Sequence, residues 1–162
     1  MAPVGRAFRQ RLFDSRIASS SPREAGLSSA SVTDHDRQPL VKDESSTIPY
    51  SPGLRVGDTI YVSGTIGRPR GGDLAADIAE QFRQLYRNIA VVLGEAGATW
   101  ADVVEMTSYH IGLREHIETL FAVHREFVAE PYPAWTAVGV TELLSKDAVL
   151  EIAVTAVRRQ SP

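Results

Sequence analysis

Five apolar residues, Ile78, Phe82, Leu85, Ile89 and Val92, recur at intervals of three or four. That spacing lays one stripe down the side of an α-helix and predicts a helix over residues 74–93. Arg83, Gln84, Arg87 and Asn88 fall on the other side, and Gly94 and Gly97 follow as stop signals. A helix with one apolar face needs another layer to cover it. The neighbouring segments supply one. Thr59-Ile60-Tyr61-Val62-Ser63-Gly64-Thr65 alternates as a half-buried strand does, and residues 101–112 read as a second strand through Val103 to Ile111. A second helix is expected over 114–128, with Ile117, Leu120, Phe121, His124 and Phe127 turned inward, ended by Pro131 and Pro133. Strands follow at 134–140 and 148–157, joined by a polar turn at Ser145-Lys146-Asp147. Leu150, Ile152, Val154 and Ala156 share one face of the last strand. Trp135 alternates with Ala134 and Thr136 and is expected to point away from the helices.

This order of elements predicts an α+β fold, a mixed sheet with both helices on one face. The uncovered face carries Tyr61, Ser63, Ala153 and Val157, too apolar to stay in water, so association with further copies of the chain is expected. With 162 residues, 43% hydrophobic and 23% charged, the chain suits one globular domain. Residues 1–46, rich in Ser, Arg and Asp, read as a flexible N-terminal extension, and 47–160 as the domain. Arg6, Arg9, Arg11 and Arg16 among Phe8, Leu12, Phe13 and Ile17 also suit a short basic helix of organelle-targeting type. Without such an address the expected location is cytoplasmic. No apolar run reaches the roughly 18 to 20 residues of a membrane span. The net charge of −3 gives no excess for nucleic-acid binding. The absence of cysteine excludes disulfides, thiolate nucleophiles and cysteine zinc ligands. His110, His116 and His124 form no His-Glu-x-x-His pattern, so neither a metal nor another cofactor is expected.

Four segments together carry a family likeness. They are Ile48-Pro49-Tyr50-Ser51-Pro52-Gly53, Tyr61-Val62-Ser63-Gly64-Thr65, Tyr132-Pro133-Ala134-Trp135-Thr136-Ala137-Val138-Gly139-Val140, and Leu150-Glu151-Ile152. From about residue 48 to 159 the chain resembles the Rid family of reactive-intermediate deaminases, also called the YjgF family. The resemblance implies a chorismate-mutase-like fold, with a mixed six-stranded sheet and two helices on one face. It also implies a homotrimer with ligand pockets in clefts between subunits. By the same resemblance Tyr50 is the pocket tyrosine, Ser63 and Gly64 border the pocket, and Glu151 positions the hydrolytic water. Backbone groups near Gly64 and Ala137 would orient the substrate. Trp135 stands where deaminating members carry a carboxylate-binding arginine, and Phe121 where many carry an asparagine.

Hydrolysis of a C=N bond delivers water to carbon and moves protons to and from nitrogen, and one carboxyl group can serve both steps. Glu151, between apolar neighbours in a strand, fits that role or that of a structural carboxylate at a subunit interface. Tryptophan offers one N–H and a π face, whereas arginine holds a carboxylate bidentately. Trp135 therefore stacks on a ligand or fills a vacated pocket, with Tyr50 and Phe121 as further aromatic wall. The expected function is release of ammonia from an imine or enamine other than the usual small 2-imino acids. The alternative is a non-catalytic trimeric module that binds a small molecule or a protein; a biosynthetic enzyme acting on a larger aromatic intermediate is a third reading. The acidic balance disfavours the ribonuclease role attached to some family members.

Overall fold

Strand β6 (Leu150–Val157) lies at the heart of a six-stranded sheet, paired antiparallel with β3 (Thr59–Ile66) and β4 (Val103–His110). The structure, a computed structural model, describes residues 37–41 and 47–158. Outside β3 lie β2 (Gly53–Val56) and the edge strand β1 (Arg37–Leu40), and outside β4 lies the other edge strand, β5 (Ala134–Gly139). All pairings are antiparallel except β4–β5. Helix α2 (Leu113–Phe127) connects those two, as a parallel neighbour requires a crossover. Helix α1 (Ile78–Glu95) connects β3 to β4.

The alternation on β6 decides the layering. Leu150, Ile152, Val154 and Ala156 are buried and join Ile60 and Val62 of β3 and Met106 of β4 in one core with Phe82, Leu85, Ile89 and Leu93 of α1 and Leu120 and Val123 of α2. The expected architecture, two helices on one face of a mixed sheet, is the one observed. On the other face Tyr61 and Val157 are 49% and 43% exposed.

Local chemistry sets the helix limits. Asp77 caps α1, its carboxylate accepting from the Glu80 N–H at 2.8 Å, so the helix starts four residues later than the expected 74. At the other end Gly97, at φ +72°, lets Ala98 N–H reach Leu93 O and Gly97 N–H reach Gly94 O, at 2.9 and 3.0 Å. This is a Schellman closure. Gly94 is helical, and the stop signal is Gly97 alone. Asn88 also departs from its expected outward place. Its amide donates to Ile66 O and Arg68 O, tying the end of β3 to the helix.

The sheet begins before the expected boundary at 47. β1 pairs with β2, and Leu40 is buried in the core at 2% exposure. A short strand with three exposed residues carries little periodic signal, which is why composition alone assigned it to the extension. Residues 1–36, 42–46 and 159–162, including the basic segment around Arg6 to Arg16, lie outside the described residues. No helix among the described residues is long and apolar enough to cross a membrane.

Candidate active site

The acid and its notch are built by a bulge. Between Val62 and Thr65 the β3–β6 register shifts by one, so Ser63 and Gly64 together oppose Ala153. Ser63 Oγ donates to Ser51 O at 2.7 Å, and Ser63 N–H to Pro52 O at 3.0 Å. These bonds hold the Tyr50–Pro52 segment alongside the bulge, with Tyr50 49% exposed. Glu151 rises from the helix-free face, between the buried Leu150 and Ile152. A Cβ placed on Gly64 would stand 1.9 Å from Glu151 Oε1, so the missing side chain is the space the carboxylate occupies.

Around it is a cavity of about 420 Å³, lined by Gly64, Tyr109, Val140, Leu143, Glu151 and Ala153, with Glu142 and Leu144 at the loop. Among the described residues neither carboxylate has a hydrogen-bond or ion-pair partner. A second cavity of about 370 Å³ lies by the start of α1. There Arg68 and Gln81 are engaged, and the exposed Asp147 has no partner among the described residues. Arg68 meets Asp73 and Ser145, and Gln81 takes the Val149 N–H and donates to Ala75 O. The half-buried Glu151, set in the space that Gly64 leaves, makes the first cavity the better candidate for chemistry.

Trp135 lies elsewhere. In the parallel β4–β5 pairing it stands opposite Met106, a core residue, and neighbouring strands put opposed residues on one face. The expectation that it points away from the helices is therefore wrong: the alternation of β5 holds, with its faces reversed. The exposed Ala134 and Thr136 flank it on the other side. Periodicity specifies a period, and on an edge strand with one large residue it does not say which face is inward. The indole stacks on His124 at 5.0 Å and meets Phe121 edge-on at 5.6 Å. Its N–H donates to Ser108 Oγ at 2.8 Å, so the only polar group of the side chain is already used. Phe121 and Ala137 belong to this helix-side edge too. Within one chain, then, Glu151 and Gly64 share a cavity, with Ser63 in the same bulge and Tyr50 on the segment it holds but outside the lining, while Trp135, Phe121 and Ala137 belong to the helix-side edge of the sheet.

Behind the indole runs a buried polar chain. Ser108 Oγ meets His110 Nε2 at 2.8 Å, both residues fully buried, and His110 Nδ1 has no partner. Burial holds the His110 pKa below its usual value, with His116 adding to the effect. His124 is lowered in the same way, by burial and then by Arg125. Its Nδ1 meets the Tyr86 hydroxyl at 2.9 Å, and burial raises the tyrosine pKa.

Residues 42–158 match the model of a family described as Endoribonuclease L-PSP. The chain belongs to this family. It is the family that the motifs around Tyr50, Ser63 and Glu151 suggested, since its relatives carry RutC and deaminase names. The RutC family protein YjgH of Escherichia coli K12 is 38% identical over 104 residues, covering 64% of this chain and 79% of that one. The 2-iminobutanoate/2-iminopropanoate deaminase of the same strain is 35% identical over 115 residues, covering 68% and 88%. The solved structure of protein YJGH superposes with a TM-score of 0.68 at 32% identity, covering 78% of this chain and 99% of that one. E. coli TdcF with bound serine gives 0.68 at 28%, covering 75% and 99%.

Of the residues lining this cavity, the sequence motifs singled out Glu151 and Gly64 but not Tyr109, Val140, Glu142, Leu143, Leu144 or Ala153 as site residues. Tyr109 was legible: it pairs with Glu151 across β4 and β6 and shares its face by alternation. The loop residues gave no periodic signal. His110 lies on the buried face with Met106 and Ser108, and one of its nitrogens goes unmet.

Proposed function

We propose that the chain is a reactive-intermediate deaminase that hydrolyses an imine or enamine to a carbonyl compound and ammonia. The observation that carries this reading is the unpaired Glu151 carboxylate in the Gly64 notch, in a family whose relatives include 2-iminobutanoate/2-iminopropanoate deaminases. Glu151 takes a proton from water as its oxygen adds to the C=N carbon. The same carboxyl then returns the proton to nitrogen as the C–N bond breaks. Tyr50 and the Ser63–Gly64 backbone border the space in which the substrate sits.

Opposite faces of one sheet cannot close one pocket, but two copies can. A homotrimer that lays the β5 edge of one subunit over the helix-free face of the next would bring Trp135, Phe121 and Ala137 to the open side of the neighbour's Glu151 cavity. It would also cover Tyr61 and Val157. In that arrangement Trp135 contributes ring surface and no clamp, because its N–H is held by Ser108. A small 2-imino acid would then find no cation at the position where deaminating relatives hold its carboxylate, so the preferred substrate differs from those. An RNA backbone fits poorly over two unneutralised carboxylates.

The test is ammonia release from imines generated in situ, together with light scattering on the purified chain. Trimers that release ammonia in a Glu151-dependent way support the reading. Trimers that bind small molecules by calorimetry yet accelerate no imine hydrolysis would replace it with the non-catalytic binding module.

A further inference from the structure

The walls of the Glu151 cavity are of two kinds. Tyr109, Val140, Leu143, Leu144 and Ala153 are apolar or aromatic, and Glu142 and Glu151 are acids. Among the described residues no lysine or arginine lines it. The cations nearest in sequence are turned to other uses or other places. Arg68 is held by Asp73 and by Ser145, and Lys146, on the same loop as Leu144, is not among the lining residues. Leu144 is 85% exposed, an apolar side chain left in water at the rim. An anion entering here meets two like charges and, among the described lining residues, no cation to offset them. A cation with an apolar body meets two carboxylates, a tyrosine ring and a leucine wall.

We infer that this cavity selects an organic cation, and that Glu142 is the residue that sets the preference. Combined with the deaminase reading, on which this part of the inference rests, the substrate is a protonated imine of an aryl or alkyl amine with no carboxylate. The reaction balances without a co-reactant. Water adds to the iminium carbon, the C–O bond forms, the C–N bond of the carbinolamine breaks, and an aldehyde or ketone leaves with ammonium. Glu151 moves the proton and Glu142 holds the charge near the reacting nitrogen. No electrons are transferred between partners.

Two experiments on the full chain separate the charge preference from the chemistry. In the first, benzylammonium, benzyl alcohol and benzoate are titrated by calorimetry into the wild type, Glu142→Gln and Glu142→Arg. The wild type should bind benzylammonium at least about tenfold more tightly than benzoate. Glu142→Gln should narrow that ratio and Glu142→Arg reverse it. Glu142 is exposed on a loop of the single chain, so both variants should fold with the wild-type melting temperature, and only preparations that light scattering shows in the wild-type oligomeric state are titrated. Benzoate binding as tightly as benzylammonium, or a ratio untouched by Glu142→Arg, overturns the inference. In the second, ammonia release is compared for the imine that an amine oxidase makes from benzylamine and the imino acid that an amino-acid oxidase makes from phenylalanine. Faster release from the benzylamine product supports the inference. Faster release from the phenylalanine product overturns it and leaves the deaminase reading standing. The expected binding order with no release from either supports the charge preference and overturns the deaminase reading.

Discussion

Two polar regions on opposite faces of this sheet handle their hydrogen bonds in opposite ways. On the helix side the Trp135 N–H, Ser108 Oγ and His110 Nε2 satisfy one another in sequence, and Tyr86 closes on His124. On the open side Glu142 and Glu151 have no partner among the described residues, and a glycine leaves room for one of them. A buried polar group without a partner costs stability, so a fold keeps most of them paired. His110 Nδ1 is the one unmet atom in the enclosed chain on the helix side, whereas Glu142 is exposed and Glu151 half-buried, so water serves both carboxylates and either can turn to a ligand without the cost of an unpaired buried group. The two most conspicuous residues, Trp135 and Glu151, are divided by this difference, although the sequence motifs put them together.

The sharpest way to break that division is to change each side and read both activity and stability. Glu151→Gln keeps the shape and removes the proton carrier. Turnover should fall by about 10²-fold or more, the usual scale for a lost general acid–base. The unfolding midpoint should hold or rise, since a half-buried charge is removed. A large loss of stability with intact turnover would make Glu151 the structural group and reverse the comparison.

Gly64→Ala tests the notch without touching the acid. The new methyl would overlap Glu151 Oε1, and the carboxylate end of a flexible side chain can swing aside. A displacement of about 1 Å at a reacting group costs roughly 10²-fold. Turnover should therefore drop towards the level of Glu151→Gln, with only a small change in the urea midpoint. Equal turnover in the alanine variant would show that the carboxylate's present position is irrelevant.

How far this was legible from sequence follows from the same contrast. The stripe from Ile78 to Val92 and the alternation of β6 are periodic and repeated, so both helices and the inward face of the sheet could be read directly. Glu151 stood out because it interrupts an apolar strand. Edge elements fail for want of repetition. β1 offers a single buried residue, and β5 a single large side chain whose face is fixed by pairing with Met106, a contact distant in sequence. Loop residues Glu142 to Leu144 reach the cavity through tertiary placement alone.

On the helix side, Ser108→Ala removes the acceptor of the indole N–H and the partner of His110 at once. His110 is fully enclosed and Trp135 partly so, and the unfolding free energy should fall by about 1–3 kcal/mol. Trp135 fluorescence should change with it, because its N–H loses a partner. Turnover per folded molecule should change less than in Gly64→Ala. A catalytic loss as large as that of Gly64→Ala would tie the aromatic edge to the chemistry more closely than its hydrogen bonds imply.

The smallest effect concerns pH, and it too sits on one side. His110 and His124 have pKa values lowered from 6.5, mainly by burial, so each binds a proton less readily folded than unfolded. Above 6.5 both states are neutral and neither histidine affects stability. As pH falls below 6.5 the unfolded chain takes up protons first. The slope of unfolding free energy with pH is then positive, up to about 1.4 kcal/mol per pH unit for each group. The loss ends once pH passes below the folded values. The urea midpoint should therefore drop between pH 7.5 and pH 5.5, and binding of a neutral probe to the acid cavity should not track it. Glu126, lowered from 4.5 by its bond to Arg83, loses its contribution only at more acid pH, so the histidine window stands apart. A flat urea midpoint across that window would mean that both imidazoles take up protons without disturbing the packing. His110, with its unmet Nδ1 and fully buried ring, is the group for which that outcome would be hardest to reconcile with the paired side of the sheet.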